Sequence, residues 1–217
     1  MSDDLSGPAQ VGLLDTSQIP GVGELLARAF QEDPVNRYVQ PEFAHRLRGF
    51  AEVYAGFLRY ASLAGRVWTT AGPPRGAAIW LPPEHGAMRT DLMVQAGLHL
   101  LPSMLGEEAA DRLVQFIRHL ESVHQRQMPG PHWYLMLLGV DPAGQRRGLG
   151  GRLLKPALDR ADAEGSMCYL ETAQPDNIPF YRKHGFEIVI EEIEPVSGLK
   201  FWAFQRVPAR RARTVFP

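Results

Sequence analysis

Apolar residues recur at helical spacing in two early stretches. Gly21–Gln31 carries Val22, Leu25, Leu26, Ala29 and Phe30, and Pro41–Leu63 carries Phe43, Leu47, Phe50, Val53, Tyr54, Phe57 and Leu58. The spacing predicts two amphipathic helices, with Asp33-Pro34 ending the first. Val11–Leu14 before them is a short apolar run that suits a strand. After them the period shortens. Arg66–Ala71 and Ala77–Leu81 are β-compatible and flank Gly72-Pro73-Pro74-Arg75-Gly76, which predicts a hairpin. Met88–Leu105 and Glu107–Gln127 return to helical spacing, the second with Glu107, Glu108 and Asp111 in its first turns, where carboxylates favour the helix dipole. His132–Val140 is almost continuously apolar between Pro131 and Asp141-Pro142, as expected of a central strand buried on both faces. A helix over Gly148–Ala163, a strand over Met167–Glu171, a short helix over Asn177–Lys183 and strands over Phe186–Ile190 and Lys200–Arg206 complete the pattern. It predicts an α/β chain with one domain over 10–207. Residues 88–127 form a helical insertion or connection, 1–9 a flexible N-terminus and 208–217 a basic tail.

Composition narrows the function. In 217 residues, 23 Lys+Arg balance 24 Asp+Glu, so no net field draws the chain to nucleic acid or to an anionic membrane. The one basic run, Arg210-Arg211-Ala212-Arg213, lies in the tail. Cys168 is the only cysteine, which excludes an internal disulfide. The start, Met-Ser-Asp-Asp, lacks a basic-then-apolar signal segment, and no apolar run approaches the ~20 residues that cross a bilayer. A cytoplasmic location is expected. The histidines are scattered without metal-ligand spacing, so no metal is expected.

The chemistry concentrates after the central strand. Leu138-Gly139-Val140-Asp141-Pro142-Ala143-Gly144 leads into Gln145-Arg146-Arg147-Gly148-Leu149-Gly150-Gly151 and then a helix. Free N–H groups at such a helix start converge on an anion, and glycines let the backbone approach it closely. Arg146 and Arg147 add positive charge suited to a pyrophosphate. A P-loop is excluded because Arg152-Leu153 stands where Lys-Ser/Thr is needed. A dinucleotide fingerprint from Gly148 fails at Leu153.

Gln-Arg-Arg-Gly-Leu-Gly over 145–150 instead resembles the Gln/Arg-x-x-Gly-x-Gly/Ala pattern of the GNAT (GCN5-related N-acetyltransferase) superfamily. Asn177-Ile178-Pro179-Phe180-Tyr181-Arg182-Lys183-His184-Gly185-Phe186 is similar to that superfamily's second segment, one residue shorter before the aromatic pair. With Leu170-Glu171-Thr172 before it, the stretch from His132 to Arg206 most resembles the puromycin N-acetyltransferase-like branch. The resemblance implies a mixed, twisted sheet splayed in the middle, with helices on both faces and acetyl-CoA entering the gap. Leu138 and Val140 would offer backbone groups to the pantetheine and acyl carbonyl. Gln145, Arg146, Arg147, Gly148, Leu149, Gly150 and Gly151 would hold the pyrophosphate, and Asn177 the pantetheine arm. Tyr181 would sit near the thioester sulfur.

Acyl transfer to an amine needs a base, an oxyanion donor and an acid for the leaving thiolate. Glu171, at a strand end facing the gap, is the candidate base, with water or the Glu32-Asp33 pair as alternatives. The Val140 N–H is the candidate oxyanion donor, and Tyr181 the candidate acid; as residue types, Glu171 also suits a solvated strand end and Tyr181 a packed core. Phe30, Tyr38, Tyr54, Phe57 and Trp80 are available to line an acceptor pocket, with Phe30 and Trp80 as its expected contacts. No acidic cluster stands out along the chain, which argues against polyamine or aminoglycoside acceptors. The expected activity is direct acetyl transfer to a primary amine of a small molecule. A protein or peptide acetyltransferase and a non-catalytic acyl-CoA-binding module are the competing readings. A homodimer is compatible with the sequence, which does not set the oligomeric state.

Overall fold

A computed structural model of the chain describes residues 10–85 and 88–209. The expected flexible N-terminus, 1–9, and all but the first two residues of the expected basic tail lie outside them. Seven strands form one open sheet in the order β1-β2-β3-β4-β5-β7-β6. They are β1 (Val11–Leu13), β2 (Arg66–Thr70), β3 (Gly76–Leu81), β4 (Trp133–Val140), β5 (Cys168–Thr172), β6 (Glu187–Ile193) and β7 (Lys200–Arg206). Every neighbouring pair is antiparallel except β4 and β5, which are parallel.

The helices are α1 (Ile19–Ala29), α2 (Pro34–Val39), α3 (Phe43–Ala64), α4 (Thr90–Gln95), α5 (Leu101–Leu105), α6 (Glu107–Gln127), α7 (Leu149–Glu164) and α8 (Ile178–Lys183). Two departures from the sequence pattern have local causes. Asp33-Pro34 does end α1, but it also starts α2: the Asp33 side chain accepts from the Val35 N–H, and Pro34 sits in the first turn where no amide is missed. The single helix expected over 88–105 is broken. Gly97 adopts a left-handed conformation (φ 80°) after α4, and the chain restarts at α5 with Pro102 in its first turn.

Helices cover both faces. On one, α1, α3, α5 and α6 pack on Ala77 and Ile79 of β3. On the other, α7 and α8 pack on Trp68, Ala78, Trp80, Trp133 and Trp202. The near-continuous apolar run of β4 follows, because its residues serve both layers. Helices α4–α6 lie within the connection from β3 to β4, and among the described residues no helix is long and apolar enough to cross a membrane.

Two features of β4 create the site. The β3–β4 register slips between Ile79 and Trp80, so that Met136 and Leu137 both turn to the α1/α3 side. Such a bulge bends the strand that carries it. The parallel pairing with β5 covers only Trp133↔Cys168 and Tyr134↔Tyr169. Beyond Tyr134 the two strands part, and the sheet is open along Leu135–Val140.

Candidate active site

The gap exposes a defined set of backbone groups. Asp141 N–H donates to Arg75 O on the β3 side at 2.9 Å. By strand alternation, Gly139 turns to β3 as well, while the N–H and C=O of Leu138 and Val140 turn to the gap. The Val140 carbonyl is already engaged, since Gln145 Nε2 donates to it at 3.1 Å. Gln145 therefore ties the turn to β4. Asp141 ties the same turn to α1 through an ion pair with Arg28 at 2.9 Å.

The Gly-rich turn carries two left-handed residues, Arg146 (φ 61°) and Gly148 (φ 75°). A non-glycine in that conformation is held there at a cost, and alternating backbone hands of this kind turn successive N–H groups into one concavity. Gly148 is the N-cap of α7 and gives no side-chain cap, which leaves the first-turn N–H groups of Leu149, Gly150 and Gly151 free. Arg146 and Arg147 are exposed and form no ion pair among the described residues. Leu149 is buried against Gly144 and anchors the turn, so it can offer only backbone. Gly150 and Gly151 are small for a packing reason. A Cβ at 150 would lie 3.1 Å from the Phe180 ring, and one at 151 would lie 2.8 Å from His184 Nε2. The close approach they permit is that of α8 onto α7.

A cavity of about 820 Å³ runs from the gap beneath α2, α3 and α6. Leu138, Asn177 and Tyr181 line its gap end, whereas Val140 does not reach it. Of the two gap-facing N–H groups, Leu138 is therefore the one beside the cavity. Asn177 Nδ2 donates to Thr172 Oγ1 at 3.3 Å, which leaves its amide oxygen free. Tyr181 is buried, with its ring against Phe180, Phe186 and Phe204. Burial, and then the charge of Asp33, push its phenol above the ordinary tyrosine range.

Glu171 lines the cavity two residues past the last β4–β5 pair. Burial pushes its carboxyl up to about 8, against the opposing influence of the Tyr134 and Tyr169 hydroxyls. Those hydroxyls are neighbours without being well-formed hydrogen-bond partners: Glu171 Oε1 and Tyr169 Oη are both enclosed and unpartnered. Asp33 is the second perturbed acid, pushed up to about 6 by burial while the Val35 and Asn36 amides hold it down. Glu32 does not join it, being exposed and 3.9 Å from Arg37. The two do not form an acid pair.

Phe30 lines the cavity, tilted against Tyr54 at 5.4 Å. Trp80 does not. Its side chain points to the opposite face of the sheet, fully buried and edge-on to Trp133 at 6.3 Å. Adjacent strand residues face opposite ways, so Ile79 takes the α1/α3 side and Trp80 the α7 side. Trp80→Ala should act on stability, with a loss of about 3–5 kcal/mol in urea unfolding. A variant as stable as the parent would contradict this placement.

Sequence reading named Glu171 and Asp33 as separate candidate bases but missed the charged lining that they form with Glu84 and Glu121. Asp33, Glu84, Glu121 and Glu171 come from four different segments and meet only in the fold, which corrects the expectation that acidic residues do not gather. It also missed His124 and His132, whose Nε2 atoms lie 2.6 Å apart at the cavity wall. No spacing rule links a helix end to a strand start eight residues on. Among the described residues, no group of histidine, cysteine or acid side chains could hold a metal ion.

The sheet thus opens between two parallel strands, with the free helix-start N–H groups of the Gly-rich turn on one side of the opening and an acid-lined cavity on the other. The sequence matches the family model for the acetyltransferase (GNAT) family over residues 77–186, and the chain belongs to that family. Solved structures share the fold. A Corynebacterium glutamicum protein described as a histone acetyltransferase HPA2 and related acetyltransferase superimposes with a TM-score of 0.69 at 20% identity, over 95% of this chain and 99% of that one. The Drosophila melanogaster polyamine N-acetyltransferase, described as catalysing formation of N-acetylagmatine, gives 0.56 at 17% identity, over 92% and 100%. Arylalkylamine N-acetyltransferase 2 from Aedes aegypti gives 0.57 at 12%, over 94% and 100%.

Proposed function

We propose that the chain transfers an acetyl group from acetyl-CoA directly to a primary amine of a small molecule. The observation that carries this reading is the meeting, in one cavity at the β4–β5 opening, of the Leu138 N–H, Tyr181 and Glu171. The Gly-rich turn suits the co-substrate that the family uses. The free N–H groups of Leu149–Gly151, with Arg146 and Arg147, suit a pyrophosphate, and Leu138, Val140 and Asn177 suit the pantetheine arm. Bound acetyl-CoA supplies the thioester carbonyl and a thiolate leaving group. Glu171, once ionised, takes a proton from the ammonium and frees the amine lone pair for attack on the carbonyl carbon. The Leu138 N–H, in place of the Val140 N–H, stabilises the oxyanion. As the C–S bond breaks, Tyr181 Oη gives its proton to sulfur and is reprotonated by the second proton leaving nitrogen. Overall, ammonium and thioester give amide, thiol and one proton.

The acceptor walls are aromatic and aliphatic, including Phe30, Tyr54, Phe57, Phe116 and Met88. Carboxylates are set among them, which favours a positively charged amine with an apolar body. The Drosophila and Aedes proteins, which act on amines of that general kind, support the class without fixing the compound. The run Leu170-Glu171-Thr172 before Asn177-Ile178-Pro179-Phe180-Tyr181 supports a place near the puromycin N-acetyltransferase-like branch. The charge balance and the fold fit a soluble cytoplasmic enzyme with no nucleic-acid or membrane partner, whether single or as a homodimer. The test is a panel of small amines and peptides with acetyl-CoA, following released CoA thiol. Turnover of small amines above peptides is expected. Turnover of peptides alone, or of none, would overturn the reading.

A further inference from the structure

The charged lining of the cavity has one sign. Asp33, Glu84, Glu121 and Glu171 line it, and among the described residues no lysine or arginine does. None of the four forms an ion pair among the described residues, although acids elsewhere on the surface do, such as Asp141 with Arg28 and Asp162 with Arg206. For Asp33 and Glu171, which burial desolvates, this is costly unless something positive joins them, whereas Glu84 is exposed and Glu121 is half-buried with Gln125 Nε2 3.5 Å away. No metal could, since no suitable group of ligands is present among the described residues.

These acids are spread along the cavity. Asp33 lies at the acyl end, where its charge acts on Tyr181. Glu171 follows Tyr169 by two residues, which puts it level with Met136. The far end is at Tyr134, four residues before Leu138 and so at most ~13 Å away along the strand. Glu121 and His124 project there from one face of α6, three residues apart. Glu121's charge acts on the Tyr134 phenol, and the His124 ring packs on Tyr134 at 4.4 Å. Glu84 follows β3, whose Leu81 is the register partner of Tyr134.

Hydrogen bonding fixes what His124 can do. His132 Nδ1 lies 2.7 Å from Gly130 O, which can only accept, so that nitrogen carries the proton. The Nε2 of neutral His132 is then bare and accepts from His124 Nε2–H. The remaining nitrogen of His124, Nδ1, is left as a bare acceptor. Burial and the neighbouring His132 push His124 down to about 4, so it stays neutral. The far end thus holds a carboxylate and a locked imidazole acceptor, with Glu84 at the rim. Between the ends, Glu171 Oε1 remains unpartnered; the buried Tyr169 Oη behind it is unpartnered as well but does not line the cavity.

We infer that the acceptor amine carries a second cationic group, an ammonium or guanidinium, that docks on Glu121 and His124 Nδ1 while the reacting nitrogen lies by Leu138 and Tyr181. This rests on the acetyl-transfer reading above and adds the charge and span of the acceptor. The test compares α,ω-diamines of increasing chain length with monoamines of the same lengths, on the full chain. One arm follows CoA thiol release with acetyl-CoA. The other measures binding of each amine by calorimetry without acetyl-CoA. Diamines of one favoured length should exceed their monoamines in kcat/KM. Glu121→Gln should shrink that preference by about 10–100-fold, the worth of one charge-assisted contact, and Glu121→Asp should retain part of it. Equal kcat/KM for diamines and monoamines at every length, or a preference untouched by Glu121→Gln, overturns the inference while acetyl transfer stands. Diamine binding that depends on Glu121, with no acetylation of any amine, instead overturns the transfer reading and keeps the cation site. Absence of both binding preference and acetylation overturns both.

Discussion

Tyr181→Phe should slow single-turnover acetyl transfer by about 10²–10⁴-fold, the range for a positioned general acid. CoA affinity should stay near the parental value. The ring is held by Phe180, Phe186 and Phe204, and those contacts survive loss of one oxygen. Burial and the nearby Asp33 charge hold the phenol above its ordinary range, so it is fully protonated at working pH and imposes no alkaline fall in rate near pH 10. Single-turnover measurement is required because product release can mask a slower chemical step. A Phe variant with the parental single-turnover rate removes Tyr181 from the mechanism. The thiolate would then leave without a protein acid.

Glu171→Gln should lower activity and raise stability in alkali. If Glu171 is the base, kcat/KM rises with pH to a plateau above about 8, where its carboxyl titrates, and the variant loses both that limb and about 10²–10⁴-fold in rate. Stability follows from the same shift. The folded carboxyl titrates near 8, while an unfolded glutamate titrates near ~4.3. Between those values the native state holds a proton that the unfolded chain has lost, so parental stability falls as pH rises through this window and levels off above it. Glutamine cannot ionise and escapes the penalty. Parent and variant should melt alike near pH 4, and the variant should melt higher at pH 9. A parental rate would sink the catalytic role, and a lower melting temperature at pH 9 would sink the buried-acid account. The opposite signs are the usual trade between an active site and stability.

Much of the fold was legible because local rules decide it. The strand over Lys200–Arg206 has the bounds that its pattern predicts, and the helix after the Gly-rich turn differs from its expected span by one residue at each end. Glycine at 148 was informative because a left-handed N-cap without a side chain is a backbone requirement carried by a single residue. Asp33-Pro34 shows where such rules become ambiguous. The same pair closes one helix and opens the next, and α2's packing against α3 and α6, with Asn36 hydrogen-bonded to Tyr54, makes the second outcome worthwhile.

The amino-acid pattern alone therefore determined the strands, the main helices and the Gly-rich turn that opens α7, which depend on neighbours a few residues apart. Tertiary structure decided the acceptor side. Alternation says that Ile79 and Trp80 face opposite ways, but which one meets the α7 layer depends on sheet packing, and Trp80 went there. The bulge at Met136 and the two-residue pairing of β4 with β5 open the sheet, and neither leaves a mark in the order of residues. Asp33, Glu84, Glu121 and Glu171 are between 37 and 138 positions apart, and His124 meets His132 only because α6 ends where β4 begins. Charge and hydrogen bonding act through space, so a cavity built from distant segments acquires its character only when the chain closes around it.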